Sequence, residues 1–113
     1  MWLEIRGINH DLTADENTFL HEKVERALGE FADRITRATV RVKDVNAARG
    51  GVDMQVQVRI DSPDLGTILV QQTEETVYAA GEKLSVRLQN ALGKRVNKKA
   101  RQKLGDRASV RAT

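Results

Sequence analysis

Apolar and polar residues alternate with a period of two at the start of the chain. In residues 2–8, Leu3 and Ile5 fall on one side, and bulky or charged residues fall on the other. This alternation is typical of a strand with one buried face. The pattern therefore predicts that the chain opens with a half-buried β-strand.

A helix is predicted to follow this strand. Thr13 and Glu16 have the spacing of a capping box, in which each side chain accepts a hydrogen bond from the other residue's backbone N–H. Apolar residues then recur at intervals of three and four until the helix ends near Asp33, which predicts one buried stripe. The stripe consists of Leu20, Val24, Ala27, Leu28 and Phe31.

The period returns to two after residue 35 and predicts three more strands. They cover residues 36–43, 52–60 and 67–72, separated by a hairpin loop at 46–51 and a turn at 62–66. The last of them is the least regular. The residues predicted to face inward on the first two are Ala38, Val40, Val42, Val52, Met54, Val56, Val58 and Ile60.

A second helix is predicted from about Glu74 to beyond Lys94. Glu74 and Glu75 suit a helix N-terminus, where the backbone dipole favours negative charge. Gly81 is a weakness within it, because glycine costs about 1 kcal/mol relative to alanine. The buried stripe of this helix consists of Val77, Ala80, Leu84, Leu88, Ala91 and Leu92.

This helix is predicted to leave the core near Gly93, where it ends, bends or frays. Arg95 falls on the side that had been apolar, which indicates that the core has been left behind by that point. Residues 105–113 have no core-forming pattern and are predicted to be a basic disordered tail. We therefore expect a single domain, residues 1–104, followed by that tail.

The predicted order β-α-β-β-β-α indicates an α+β fold. Alternating strands need only one covered face, so both helices are expected on the apolar side of a four-stranded, largely antiparallel sheet, in a two-layer sandwich. The other sheet face stays open, and ordinary solvated strand surface explains its residues as well as a binding role does. Those residues are Arg6, Arg37, Arg41, Lys43, Gln55, Gln57 and Arg59.

Charge is divided unevenly along the chain. The whole chain carries 19 basic and 16 acidic residues, a formal net charge of +3. Residues 83–113 hold ten Lys or Arg side chains against Asp106, a net of +9, so residues 1–82 carry −6. A dense basic segment joined to an acidic body indicates a surface for a polyanion, with nucleic acid the first candidate and an anionic membrane the second. A solvated helix end is the alternative without a binding role.

Basic residues of the second helix fall in a narrow band beside its apolar stripe, which we term the basic ridge. Without accompanying aromatic residues, such a band indicates contact with RNA phosphate and sugar rather than with base edges. A membrane is disfavoured because the sheet needs the apolar stripe, which is then not free to insert into lipid. The band contains Lys83, Arg87, Asn90, Lys94, Lys98 and Arg101.

The sequence carries no convincing catalytic or metal-binding pattern. There is no cysteine, and the acidic sequence neighbours of His10 and His21 point away from them on a strand or helix. No phosphate-binding glycine loop and no calcium-loop pattern occurs. We therefore expect no enzymatic activity, no cofactor, no metal and no small-molecule substrate. The lack of cysteine, of a signal peptide and of a membrane span predicts a cytoplasmic protein.

Five short motifs add a family resemblance. They are Ile5–Gly7 closing the first strand, Leu12–Thr13 entering the first helix, Phe31–Ile35 closing it, Val77–Ala80 opening the last helix, and Glu82–Leu84. In this order and spacing they resemble the ribosome hibernation-promoting factor and ribosome-associated inhibitor family, over residues 1–104.

The resemblance implies a small cytoplasmic protein that occupies the small ribosomal subunit where messenger and transfer RNA would sit. It would sterically inhibit translation or protect idle ribosomes during stress or stationary phase, with no catalysis. Basic positions of the family fall on Lys23, Arg26 and Lys83. The sequence shows no second domain of the kind that lets longer members pair ribosomes, so pairing by that route is not expected.

The chain departs from the family pattern in its last helix. Val86 and Asn90 stand where the family usually has basic residues, and Arg87 is displaced by one position. Gly81 replaces the start of an Ile-Asp pair, and Gly93 interrupts a stretch that is normally rich in lysine. Basic residues reappear beyond it, so either the contact surface has moved toward the C-terminus or ribosome binding is altered.

The prediction is a monomeric ribosome-associated factor whose partner is the small subunit and its rRNA. Two alternatives stay open. One is a protein-interaction or regulatory module that uses the acidic body and the open sheet face. The other is a generic binder of structured RNA, since the architecture loosely resembles double-stranded RNA-binding domains. The residues predicted to bind RNA are Lys23, Arg26, Lys83, Arg87, Lys94, Arg95, Lys98, Lys99 and Arg101.

Overall fold

The structure, a computed structural model, describes residues 1–46, 49–50 and 52–112, with side chains described as far as residue 100. Strands and helices follow in the predicted order β-α-β-β-β-α, with a short 3₁₀ segment after the first helix. They are β1 (Trp2–Gly7), α1 (Ala14–Leu28), the 3₁₀ segment (Gly29–Arg34), β2 (Arg37–Asp44), β3 (Met54–Ser62), β4 (Gly66–Glu74) and α2 (Val77–Ala112).

Within the described residues, the strands form one mixed sheet in the order β1-β2-β3-β4. β1 and β2 are parallel because a helical crossover joins them, whereas β2–β3 and β3–β4 are antiparallel pairs joined by short connections. The predicted α+β fold is confirmed, and the sheet is largely antiparallel as expected. One row of inward-facing register partners runs through Ile5, Val40, Val58 and Val70.

Both helices cover the apolar face of the sheet. α2 packs on β3 and β4, while α1 packs beside α2 and against β1. Alternate residues of β2 and β3 are buried, which is the period-two pattern that the sequence predicts. Full burial of one large aliphatic side chain contributes about 1.5–3 kcal/mol. The largest side chains in this core are Leu20, Leu28, Ile60, Leu84, Leu88 and Leu92.

The strands differ from the prediction at their ends. Val52, predicted to face inward, precedes β3 and is 62% exposed. The alternation in β4 is clearer than the sequence suggests, because Ile68 and Val70 are buried whereas Leu69 is 59% exposed on the open face. The predicted hairpin loop at 46–51 lies partly outside the described residues.

The capping box predicted at the start of α1 is present. Thr13 Oγ1 accepts a hydrogen bond from the Glu16 N–H at 3.0 Å, and Glu16 Oε1 accepts one from the Thr13 N–H at 3.0 Å. The α-helix ends at Leu28, earlier than predicted, because Gly29 adopts a φ of 44°, a conformation that favours glycine. The 3₁₀ segment then continues through the predicted end near Asp33.

α2 begins at Val77, slightly later than predicted. Thr76 precedes it, and its Oγ1 accepts a hydrogen bond from the Ala79 N–H at 3.1 Å, which is an N-cap contact. Glu74 ends β4 instead of opening the helix. The polar signal for this helix start is therefore the threonine and not the two glutamates.

The backbone of α2 stays helical to Ala112, through the predicted break at Gly93 and through the predicted disordered tail from residue 105. Alanine, lysine and arginine are frequent in this segment and favour helix, which explains helical backbone without a core-forming pattern. The domain boundary at residue 104 stays a prediction. No helix in the described part of the chain combines the length and the apolar character needed to cross a membrane.

Gly81 allows α1 and α2 to approach each other closely. A Cβ at this position would lie 2.8 Å from Phe19 Cε1 and 3.1 Å from Leu20 Cδ2. Phe19 also packs edge-on against Tyr78 of α2, with ring centroids 5.0 Å apart. Gly81 lowers helix propensity, as the sequence predicts, but the packing of the two helices requires a glycine at this position.

Candidate nucleic-acid interface

Two basic residues of α1 lie on its side facing α2. Lys23 Nζ pairs with Glu82 Oε1 of α2 at 2.8 Å and lies 5.6 Å from the centroid of the Phe19 ring. Arg26 follows one turn later, where helical spacing keeps it on the same side, and it is exposed. Arg26 is thus open to a partner, whereas Lys23 is held by the helix interface.

The basic ridge lies on the opposite flank of α2, beside the edge strand β4. Arg87 Nη1 donates hydrogen bonds to the Gln71 carbonyl at 2.5 Å and to Gln72 Oε1 at 2.9 Å. Lys83 Nζ pairs with Glu74 Oε1 at 2.7 Å and is still 61% exposed. Hydrogen bonds from Lys83, and then from Gln72, lower the pKa of Glu74. These contacts orient the first half of the ridge along the edge of the sheet.

Lys94 and Lys98 continue the ridge and are both exposed. Among the side chains described, up to residue 100, neither forms an ion pair or a hydrogen bond. Arg87, Asn90 and Lys94 line a shallow groove of about 560 Å³ between α2 and β4. A phosphate can reach these two ammonium groups without first breaking a contact, which makes them the most accessible of the ridge cations whose side chains are described.

Arg95 and Lys99 attach α2 to the turn between β3 and β4 and do not join the ridge. Arg95 Nη1 donates a hydrogen bond to the Leu65 carbonyl at 2.6 Å, with a longer contact of 3.5 Å from Nη2 to the Thr67 carbonyl. Lys99 Nζ lies 2.6 Å from both the carbonyl oxygen and Oδ1 of Asp64. We term these contacts the turn anchor. The helix has not left the core at Arg95, contrary to the prediction.

Asp64 is the acidic centre of the turn anchor. Its carboxylate also accepts hydrogen bonds from Arg34, through Nε at 2.8 Å and through Nη2. Hydrogen bonds from Lys99, and then from Arg34, lower the pKa of Asp64 to about 2. The carboxylate therefore stays charged well into the acid range, and the ion pairs that hold the turn persist with it.

An uncharged strip separates the α1 pair from the basic ridge. Val86, which is 56% exposed, lies on the outer side of α2 between the two basic groups, and Asn90 is the uncharged member of the ridge next to it. These are two of the positions where the family resemblance would place positive charge. The side chain of Arg101 lies outside the described part, so its role stays a prediction.

Each of the two histidines lies next to a carboxylate that is not its neighbour in the sequence. His10 Nε2 lies 3.1 Å from Oε1 of the capping residue Glu16, and His21 Nδ1 lies 3.3 Å from Glu25 Oε1. The second pair has the i, i+4 spacing of a helix surface and could have been found from the sequence. In the part of the chain with described side chains, no three His, Asp or Glu residues cluster as a metal site would require.

A comparison with protein families shows which family this chain belongs to. The model of the sigma 54 modulation protein / S30EA ribosomal protein family matches residues 3–101. The chain belongs to this family. Membership confirms the predicted family and the prediction of a ribosome-associated factor. A search of curated proteins finds no match for this S30EA family member.

Solved structures share the fold of this S30EA family member. A ribosomal subunit interface protein from Coxiella burnetii has a TM-score of 0.71 and 19% sequence identity, covering 83% of this chain and 96% of that one. The N-terminal domain of Protein Y from Thermus thermophilus has a TM-score of 0.62 and 20% identity, covering 80% of this chain and 91% of that one. At these identities the likeness shows the fold alone.

Proposed function

We propose that this protein binds the small ribosomal subunit through its rRNA and sterically blocks the site of messenger and transfer RNA. Translation would stop, or idle ribosomes would be protected. The observation that carries the proposal is the basic ridge, an exposed row of cations on a helix of a protein from the S30EA family. Binding and exclusion need no chemical step, so the proposed activity is not enzymatic. We place it in the cytoplasm and propose that the protein acts as a monomer.

The proposed RNA-binding surface belongs to the helical layer and has two parts. The ridge supplies Lys83, Arg87, Lys94 and Lys98, with Arg101 as its extension. Across the uncharged strip, α1 supplies Lys23 and Arg26. Arg95 and Lys99, which the sequence also assigns to RNA, act in the turn anchor under this proposal.

Some of these cations must exchange a partner when RNA binds. Lys23 would leave Glu82 and Lys83 would leave Glu74 for a phosphate. Exposed ion pairs contribute little to stability, so this exchange is inexpensive. Lys94 and Lys98 need no exchange, and we therefore expect the largest loss of affinity when they are replaced.

Co-sedimentation with purified small subunits tests the ridge. The variants Lys94→Gln and Lys98→Gln each remove one exposed positive charge, and we expect each to weaken binding and to lower the slope of log affinity against log salt by about 1. Arg49→Gln is the matched control. Arg49 is exposed in the β2–β3 loop, at the end of the sheet opposite the turn anchor, and its replacement should leave the slope unchanged.

The outcomes separate the proposal from its rivals. If all three variants keep the salt slope of the wild type, the ridge is not the RNA-binding surface. Binding that free structured RNA competes away completely would favour a generic structured-RNA binder. Stoichiometric binding that resists such competition and excludes messenger or transfer RNA would establish the ribosomal role.

A further inference from the structure

The open face of the sheet carries charges that the proposed function does not use. At one end of this face, acids and bases balance. Glu4 accepts hydrogen bonds from Arg6 Nε at 2.5 Å and Arg37 Nη2 at 3.0 Å, and Asp61 accepts one from Arg59 Nε at 3.2 Å. Hydrogen bonds from Arg37, and then from Arg6, lower the pKa of Glu4.

At the other end, Arg6 is already paired with Glu4, and the unbalanced positive charge comes from Arg41 and Lys43. Arg6 and Arg41 are register partners on the parallel strands β1 and β2, and Lys43 lies two residues further along the same face. Like charges directly opposite each other on adjacent strands destabilise a sheet. Within the described side chains, neither Arg41 nor Lys43 forms an ion pair. We term Arg6, Arg41 and Lys43 the basic end of the open face.

The shape of this face suits an extended ligand. A depression of about 420 Å³ spans all the strands. Positive charge exceeds negative charge in its lining, which contains Arg6, Arg37, Arg41 and Arg59 against Glu4 and Asp61. Leu69, which is 59% exposed, lines this depression, and Trp2, which is 65% exposed, lies next to it as the register partner of Arg37. A cationic depression with an exposed indole beside it combines phosphate-binding and base-stacking groups on one surface.

We infer that the open sheet face is a second RNA-binding surface, which holds an unpaired RNA segment by its phosphates at Arg6, Arg41 and Lys43. Guanidinium groups match phosphate oxygens in a fork geometry, and a polyanion would relieve the repulsion between the two register partners. The lone indole offers stacking to a base without a sequence code. Because the ridge belongs to the helical layer and this face to the other side of the sheet, the protein would bridge two RNA segments.

A binding measurement with a single-stranded uridine oligonucleotide tests this surface without the ribosome. Replacing Arg41 by glutamine should lower the slope of log affinity against log salt by about 0.7, the contribution of one phosphate contact with a single strand. The control Arg49→Gln should leave the slope unchanged. The melting temperature of R41Q should stay equal or rise, because the variant removes a like-charge opposition. Equal slopes for R41Q and R49Q would overturn the inference.

Photo-crosslinking on purified ribosomal subunits locates the partner. A photoreactive residue is placed at Thr39, between Arg37 and Arg41 on the open face, or at Thr18, which is exposed beside Glu22 and Glu25 on α1. RNA adducts at Thr39 but not at Thr18 would support the inference. Protein adducts at Thr39 would overturn it in favour of a peptide partner. If the protein does not bind subunits at all, the proposed ribosomal function fails, and the oligonucleotide measurement still decides the role of the sheet face.

Discussion

At the scale of a single residue, Glu16 combines two polar contacts with burial. It closes the capping box with Thr13, meets His10, and is 9% exposed. Burial acts to raise the pKa of Glu16, but hydrogen bonds from the Thr13 backbone and from His10 outweigh it and hold that pKa below its ordinary value. The charged form is therefore the one that the fold stabilises, and the start of α1 depends on it.

Because the pKa of Glu16 is lowered, the stability difference between the wild type and the Glu16→Gln variant should depend on pH. Because the pKa of Glu16 is lower in the folded protein, its stabilising contribution is complete above the unfolded-state value near 4.5 and is lost as the pH falls through the folded value. We expect the variant to lose about 1 kcal/mol of unfolding free energy at neutral pH. That difference should shrink below about pH 4.5.

Urea unfolding at several pH values provides the measurement. Glu22→Gln makes the same change in charge at an exposed position of α1 and should show a much smaller difference. A difference between wild type and E16Q that stays constant down to pH 3 would contradict the role given to the charged carboxylate.

At the scale of the secondary-structure element, two glycines of α2 differ in how closely they are packed. Gly81 faces Phe19 and Leu20 of α1 at distances that leave no room for a methyl group. Gly93 has nothing within 4 Å of an added Cβ. Intrinsic helix propensity favours alanine equally at both positions, so the helix–helix contact alone distinguishes them.

Alanine substitution at each glycine separates propensity from packing. Gly93→Ala should raise the unfolding free energy by up to about 1 kcal/mol. Gly81→Ala should lower it, because overpacking costs about 1–3 kcal/mol and exceeds the gain in propensity. Chemical denaturation of the pair measures the difference. Equal stabilisation by both substitutions would mean that α1 can move away from α2 at little cost.

The turn anchor connects the helical layer to the sheet at the scale of the whole molecule. Replacing Arg95 by methionine removes the donors to the Leu65 and Thr67 carbonyls, and we expect a loss of about 1–2 kcal/mol in unfolding free energy. Amide hydrogen exchange should rise in α2 beyond Gly93. The matched variant Lys94→Met changes an exposed neighbour and should leave exchange in this segment unchanged. Indistinguishable exchange in the two variants would show that the anchor does not hold the helix.

The fold could be predicted from the sequence because its main signals are periodic. Alternation in residues 36–43 and the capping box at Thr13 each determine an element without reference to distant residues. Gly81 and Arg95 could not be interpreted in this way. Whether glycine is needed at position 81 depends on the close contact with Phe19 of α1. The role of Arg95 depends on a turn that lies 30 residues earlier in the chain.

The candidate site could be predicted only in part, for a related reason. The sequence shows that Lys94 and Arg95 are adjacent and basic, and helical spacing predicts that they point in different directions. It cannot show that Lys94 faces solvent while Arg95 meets the Leu65 carbonyl. Charge density along the chain therefore indicates the helix that we propose to bind RNA, but it does not indicate which of its cations have internal acceptors.

The turn between β3 and β4 holds α2 largely through main-chain oxygens. The carbonyls of Asp64, Leu65 and Thr67 are acceptors that any amino acid would present, provided that the turn keeps its path. The exposed side chain of Thr67 can therefore vary without removing an acceptor for α2, whereas Leu65 is buried in the core and also fixes the turn by its side chain. The position of the helix on the sheet depends in this respect on main-chain oxygens of the turn, which leaves the exposed flank of α2 free to vary in sequence without loss of its attachment.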